Sequence, residues 1–444
     1  MAELITIQRE VPVLYDLDVV VVGGGPTGVA TAIAAARLGR EVLLIEGMGC
    51  LGGIGTSAEL AVFLGFSDGK NVLVGGVGRE IRDKLYECGG FSPDSKYERW
   101  NWAVYQTEVL KRLYDDLITE AGIHLLLFTH LVDVERKGER VSSVILSSKS
   151  GLFAVRGKIF VDATGDGDLC AMAGVPFEKG DEQGRTQAPT LCSQLTGVDW
   201  ERHREWRQQG GTQEQFLREA FEAGVLPYYD PHLPGIYQSH HNAGIGNVGH
   251  VYGVDGTDML SLTQGMLKGR KLVQCYVEYY RKYIPGFEQA ELVNTGALLG
   301  IRETRRILGD YVLNLEDFKR RAYFSDEIGR HSYPVDMHSP SPEAEDQRRF
   351  EEDFAKLRYE PGESYGIPYR CLIPRNVSNV LVGGRCFSAD RYIQGSARVM
   401  SGCFIMGQAA GTAAAMAVER GVKTRDVNPA ELREILRQHN AYLP

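Results

Sequence analysis

Residues 19–22 are four consecutive valines, and the chain passes from them directly into Gly23-Gly24-Gly25-Pro26-Thr27-Gly28. An unbroken β-branched run is a strand buried on both faces, as in a parallel sheet. A small-residue helix is expected from about Thr27 to Leu38, closed by Gly39. Val42-Leu43-Leu44-Ile45 is a second buried strand, and it ends at Glu46. Strand, tight glycine turn, helix and strand make one βαβ unit, which commits the chain to an α/β fold of Rossmann-like type.

Each part of the unit has a physical job. Gly23 makes the turn, Gly25 lets the backbone approach a pyrophosphate, and Gly28 lets helix and sheet touch. Pro26 and Thr27 open the helix, whose free amide groups and dipole favour negative charge. Glu46, eighteen residues beyond Gly28, can accept hydrogen bonds from ribose hydroxyls. A dinucleotide site is therefore expected here.

Further on, Val109, Leu110, Leu113, Leu117 and Ile118 give residues 107–121 the spacing of an amphipathic helix. Leu131–Arg136 and Val141–Ser147, joined by Lys137-Gly138-Glu139, read as a hairpin. The strand Lys158–Val161 runs into Asp162-Ala163-Thr164-Gly165-Asp166. From about 185 to 370 the character changes: Arg, Tyr and His increase, and long helices are expected around 259–283 and 344–357. Buried-strand character returns at Val377–Val382, followed by Gly383-Gly384-Arg385 and a helix from about Ser401 to Arg420, stopped by Gly421. A nucleotide-type domain thus opens and closes the chain, with a different α+β domain between. The expected boundaries are 1–185 with 371–444, and 186–370.

Glycine is in excess, 52 of 444 residues, without a Gly-X-Y period, so the surplus belongs to tight turns and close backbone contacts. The net charge of −9 argues against a nucleic-acid platform. The eight cysteines contain no C-x-x-C pair, so zinc, iron–sulfur and thioredoxin patterns lack support and no metal is expected. The N-terminal stretch carries charges throughout, and the longest weakly apolar run, Cys403–Val418, is too short and too weakly apolar to span a bilayer. A cytoplasmic protein is expected.

The three later glycine clusters, Gly52-Gly53-Ile54-Gly55-Thr56, Thr164-Gly165-Asp166 and Gly383-Gly384-Arg385, carry the reading further. With the N-terminal fingerprint, the chain resembles the FAD-dependent oxidoreductase family. This family has the glutathione-reductase-like fold and is related to the fumarate reductase and succinate dehydrogenase flavoproteins. The resemblance also rests on residues 251–258, VYGVDGTD, residues 300–307, GIRETRRI, residues 368–374, PYRCLIP, and residues 406–413, MGQAAGTA. It covers nearly the whole chain.

The resemblance implies bound FAD, with Gly52, Gly53 and Thr56 along the pyrophosphate and ribityl side. It implies that Val132 meets the adenine through its backbone and that Thr164, Gly165 and Asp166 lie near the adenosine and ribityl regions. Gly383, Gly384 and Arg385 would pass the ribityl chain, and the helix beginning near Ser401 and Gly402 would aim its N-terminus at the flavin N1–C2=O edge. Cys50 has no accompanying histidine at the position used for covalent attachment, so the FAD is expected to be noncovalent.

The substrate side is open to several readings. Arg302, Arg305 and Arg306 are expected on one helix, where Arg302 and a neighbour at i,i+3 or i,i+4 could clamp a carboxylate, or pair instead with Glu303 or Asp310. One of His240, His241 and His250 could act as acid or base, with His241 the choice carried forward. The family layout places Tyr392 and Arg398 near the ring. The expected reaction is hydride transfer between FAD and a small hydroxylated or carboxylated molecule, with an unspecified electron partner and with homo-oligomer formation left open. The alternatives are a flavin monooxygenase, whose usual Asp-Gly-x-x-Ser-type motif is missing, and a tRNA-modifying flavoprotein.

Overall fold

The computed structural model describes residues 5–6, 8–233, 235–343, 345–348 and 356–444. Its first half is a sheet built around β1 (Val13–Val22), which α1 (Pro26–Arg37) connects to β2 (Val42–Ile45). After α2 (Thr107–Glu120) come β3 (His124–Leu126), β4 (His130–Lys137), β5 (Arg140–Ser148) and the long β6 (Gly151–Asp162). The order is β3-β2-β1-β6-β5-β4. Strands β3, β2, β1 and β6 run parallel, whereas β4, β5 and β6 form an antiparallel meander.

The middle of the chain supplies β7 (Ser193–Thr196), β8 (Gly235–Gln238), β9 (Gly244–Asn247), the 25-residue helix α3 (Met259–Tyr283) and β10 (Glu291–Thr295). These four strands form a second, antiparallel sheet in the order β8-β9-β7-β10. Strand alternation divides its faces. On β9, Ile245 and Asn247 point to an internal cavity, whereas a Cβ on Gly244 would sit 2.8 Å from Ile236 Cγ2 and Trp200 Cζ2 on the other side. There Leu195 and Ile236 share an apolar core with Leu272, Tyr276 and Tyr280 of α3.

The chain then returns through β11 (Arg305–Ile307) to β12 (Val380–Val382), which lies parallel to the C-terminal half of β6. Helices α4 (Arg391–Ala397) and α5 (Met400–Arg420) follow, with a last helix at Pro429–Gln438. The separate core of the insertion spans Leu191–Leu299. Phe318, Ile328, Val335 and Tyr365, which belong to the expected 186–370 domain, pack instead in the large core with Val19, Val21 and the α5 residues Phe404 and Met406. The insertion is therefore smaller than its change of composition suggests. The helix expected around 344–357 lies largely outside the described residues.

Helix α5 is long and apolar enough to cross a membrane by composition, but it is almost wholly buried in the protein. Its small residues explain how it fits. A Cβ on Gly407 would come 2.4 Å from Thr27 O, and one on Gly411 2.2 Å from Thr31 O. Thr27 Oγ1 donates to Cys403 O at 3.2 Å and Thr31 Oγ1 to Gly407 O at 3.1 Å. The two helices touch backbone to side chain along their length, an approach open only to residues without a Cβ. Gly407→Ala should therefore lower unfolding stability by about 1–3 kcal/mol, the usual effect of overpacking a dense core. A urea titration of the protein checks it, and a midpoint equal to wild type would contradict the contact.

Candidate active site

The C-terminal edge of the parallel strands opens into a cavity of about 700 Å³, roofed by the antiparallel sheet. Ligands in open α/β sheets bind at this edge. The glycine turn forms one end. Gly23 has φ +102°, and a Cβ there would lie 2.4 Å from Ala163 O. Gly28 packs against Gly23 O, where a Cβ would approach to 1.8 Å. Gly25 differs, because a Cβ there would meet no atom within 4 Å, so its outer face is open to the cavity. Helix α1 begins at this point without a side-chain cap.

Glu46 holds the turn together. Its Oε2 accepts the Gly24 N–H at 2.7 Å and its Oε1 the Met48 N–H at 2.8 Å. Burial raises its pKa against these hydrogen bonds, and the carboxylate still borders the cavity. Gly52 N–H donates to Gly24 O at 2.8 Å, which lays the second glycine loop over the first, and Gly53 reaches the cavity beside Gly25. Pro26, Thr27, Thr164, Gly165 and Gly384 also line it.

Other expected contacts serve the frame. Thr56 is fully buried and donates its hydroxyl to Leu51 O at 2.6 Å. Gly52, with φ +105°, packs on Thr56, and Gly383 packs on Thr27. Gly402 lies against Ala397 O, where a Cβ would come to 2.2 Å. Val132 is 45% exposed, sits at a register shift in β4, and lies outside the cavity wall. Ser401 is buried with its hydroxyl unpartnered, behind the wall made by Val399, Met400 and Cys403. Arg385 borders the cavity, but its guanidinium is spent on protein: Gly165 O at 2.9 Å, Ile301 O at 2.8 Å and Asp166 Oδ1 at 2.6 Å. It ties the Thr164–Asp166 turn to the insertion.

The arginine helix does not form. Residues 301–304 are irregular and Arg305–Ile307 is strand β11, paired antiparallel with Phe177–Lys179. Arg305 and Arg306 consequently point to opposite sides. Arg305 binds Asp168 Oδ1 at 2.7 Å and Arg306 binds Glu303 Oε1 at 2.5 Å, both structural ion pairs. Arg302 alone enters the cavity wall, together with Arg398. His241 is exposed in the β8–β9 turn with His240, away from the cavity. Tyr392 lies on α4, packed against the large core and outside the wall.

Polar residues that no sequence motif marks also line the cavity, among them His232, Asp336 and His338. Asp336 Oδ2 accepts from Arg398 Nη2 at 3.0 Å, and Asp336 Oδ1 lies 3.4 Å from His338 Nε2. The His232 ring opens on the cavity, where burial first and then His250 lower its pKa to about 4. Burial, followed by the Arg302 charge, holds His338 well below the ordinary histidine range. Both rings are neutral at neutral pH. Among the described residues no cluster of three or more His, Cys, Asp or Glu is arranged to hold a metal ion.

FAD fits this arrangement on two counts. Helices α1 and α5 both start at the cavity without a side-chain cap, which supplies two fixed partial positive charges, one at the glycine turn and one at Val399–Cys403. The open face of Gly25 leaves room for a pyrophosphate at the first.

Residues 18–436 match the family model for FAD dependent oxidoreductases, and the chain belongs to that family. Its cofactor is accordingly FAD. A comparison with curated protein sequences finds no match. Among solved structures, the chain is similar to the flavin-dependent brominase Bmp2, at 15% identity over 95% of this chain and 84% of that one, with a TM-score of 0.47. It is also similar to a geranylgeranyl bacteriochlorophyll reductase-like protein from Thermoplasma acidophilum, at 12% identity, 96% and 83% coverage and a TM-score of 0.44. A third is p-nitrophenol 4-monooxygenase PnpA from Pseudomonas putida DLL-E4, at 12% identity, 96% and 87% coverage and a TM-score of 0.44.

Glu46→Ala should weaken FAD binding about ten- to a hundred-fold, through loss of charge-assisted hydrogen bonds of about 1.5–3 kcal/mol. Equilibrium titration of the apoprotein with FAD measures it, and an unchanged Kd would remove Glu46 from the site. The wild-type flavin should appear in the supernatant after acid precipitation, whereas flavin left in the pellet would mean a covalent link.

Proposed function

We propose that the protein transfers a hydride between noncovalent FAD and a small organic substrate that carries a carboxylate or a related anionic group. Arg302 carries this reading. Its guanidinium is buried, at 6% exposure, yet its contacts are all neutral: Ala188 O at 2.6 Å, Thr190 Oγ1 at 3.1 Å and Asn247 Oδ1 at 3.5 Å. Burial, and then the neighbouring Arg398 charge, lower its pKa to about 10, which leaves it a cation at neutral pH. A buried charge with no carboxylate in hydrogen-bond contact, and only the more distant Asp336 and Asp230 to favour it, is expensive, and an anion arriving in the cavity would offset that penalty. Arg398 points the same way, since its Nε is buried without a partner although Asp336 takes its Nη2.

The opposite wall is apolar: Leu60, Val62, Leu64 and Val104 face the cavity. Trp102 and Tyr237 meet edge to face at 4.9 Å where the two domains approach. A substrate with an anionic head and an apolar body matches both walls. When bound, FAD supplies two-electron redox chemistry at its flavin ring. The protein's share is to hold the anion between Arg302 and Arg398 and to exclude water with the apolar wall.

The experiment is anaerobic mixing of the yellow protein with a panel of hydroxy acids and unsaturated carboxylic acids, followed by flavin absorbance. Arg302→Ala should keep its flavin content and slow flavin reduction by a positive substrate about ten- to a hundred-fold, from loss of about 1.5–3 kcal/mol of charge-assisted contact. Turnover and KM both at wild-type level would defeat the assignment. Oxygen consumption matched by a hydroxylated product would make the protein a monooxygenase instead.

A further inference from the structure

From behind the cavity wall to its surface, four titratable side chains are joined end to end. Asp230 is fully buried, and its Oδ2 accepts both the backbone N–H of His250 at 3.1 Å and the ring Nδ1–H of His250 at 2.8 Å. Its Oδ1 accepts the His232 N–H at 3.3 Å. On the far side of the ring, His250 Nε2 lies 2.7 Å from His338 Nδ1. His338 Nε2 in turn lies 3.4 Å from Asp336 Oδ1. The His232 ring braces the pair, stacked on His250 at 5.7 Å and edge-on to His338 at 4.7 Å. His232, His338 and Asp336 border the cavity, whereas Asp230 and His250 do not.

There are three links, from Asp230 to His250, from His250 to His338, and from His338 to Asp336. With both imidazoles taken as neutral, the pair brings two ring protons. Asp230 is ionised: burial opposes its charge, but the His250 ring and N–H outweigh it and hold its pKa below the ordinary value. An ionised carboxylate only accepts, so His250 carries its proton on Nδ1 and offers a bare Nε2. His338 must then place its own proton on Nδ1. Its Nε2 is left as a lone pair at the cavity, beside an oxygen that also cannot donate. One added proton on that nitrogen would satisfy the third link and put a positive charge between two carboxylates.

We propose that His338 is the proton acceptor of the cavity and that Asp230 and His250 are its positioning residues, fixing the tautomer that leaves Nε2 bare. The proton comes from a hydroxyl of the bound ligand: the O–H bond breaks, its electron pair stays on the ligand oxygen, and the proton forms the Nε2–H bond. The proposal rests on the oxidoreductase reading for its purpose. Its geometry is independent of which substrate is bound.

The test reads the tautomer directly, with no substrate present. Nitrogen NMR of the FAD-loaded protein carrying ¹⁵N-labelled histidine, with His338 assigned by its substitution to Gln, should show at neutral pH a protonated Nδ1 and an unprotonated Nε2. In His250→Phe the acceptor for Nδ1–H is gone, and the His338 proton should move to Nε2, facing Asp336. The resonance of each nitrogen should shift across the gap between the protonated and bare ranges. A role limited to packing would leave the tautomer unchanged in the variant, which would overturn the proposal. So would an Nε2–H tautomer in the wild-type protein, a result that needs no folded variant. Failure of the Arg302 experiment with a normal tautomer result would reject the anionic substrate and leave the relay standing.

Discussion

The contact between α1 and α5 determines where the site can be. Gly407 and Gly411 let α5 lie directly on Thr27 and Thr31, and the two threonine hydroxyls lock the helices in register. Both helices are uncapped and both begin at the cavity. Their packing therefore sets the distance between two fixed positive ends, and a ligand with negative charge at two separated places is selected before any side chain is considered. FAD, with its pyrophosphate and a flavin ring that gains charge on reduction, meets that requirement.

The second determinant is the seam between domains. Arg385 binds the 165–166 turn on one side and Ile301 on the other, and Arg305 reaches from the returning strand to Asp168. These contacts pin residues 301–305 next to the glycine turns, so Arg302 is delivered to the cavity by its neighbours' ion pairs. A guanidinium held this way loses little further freedom when it meets an anion, which is the advantage of a site assembled before its ligand arrives. The same seam brings Trp102 of one domain against Tyr237 of the other.

The sequence was most legible where structure is local. The βαβ unit, the 107–120 helix, the 130–148 hairpin and α5 all follow from periodicity and from glycines at their ends. The arginine segment defeats a sequence reading because Arg302, Arg305 and Arg306 satisfy helical spacing equally well, and only the partner strand at Phe177–Lys179 decides for β structure. His241 falls in the turn just before β9, so its side chain leaves the sheet face that lines the cavity. His232 and His338 carry no local signal. They lie far apart in the chain, and their meaning arises only when the fold sets both rings against His250. Thr56 and Arg385 look like ligand contacts by motif and are used to hold backbone, because a buried donor takes the nearest carbonyl or carboxylate.

The position of α5 in the chain bears on how the protein is made. Strand β6 ends at Asp162 and its parallel neighbour β12 begins at Val380, with α5 following at Met400. The ribosome must therefore add 380 − 162 = 218 residues before the sheet gains that neighbour, roughly ten to forty seconds at ordinary elongation rates. Through that interval α1 lacks the helix that will cover it, and the Thr27 and Thr31 hydroxyls lack the α5 carbonyls they bind in the finished fold. The insertion has its own core and can settle during the same period. The insertion can thus be in place before the floor beneath it is complete, and the apolar α1 surface is the part that a chaperone would have reason to cover until α5 emerges.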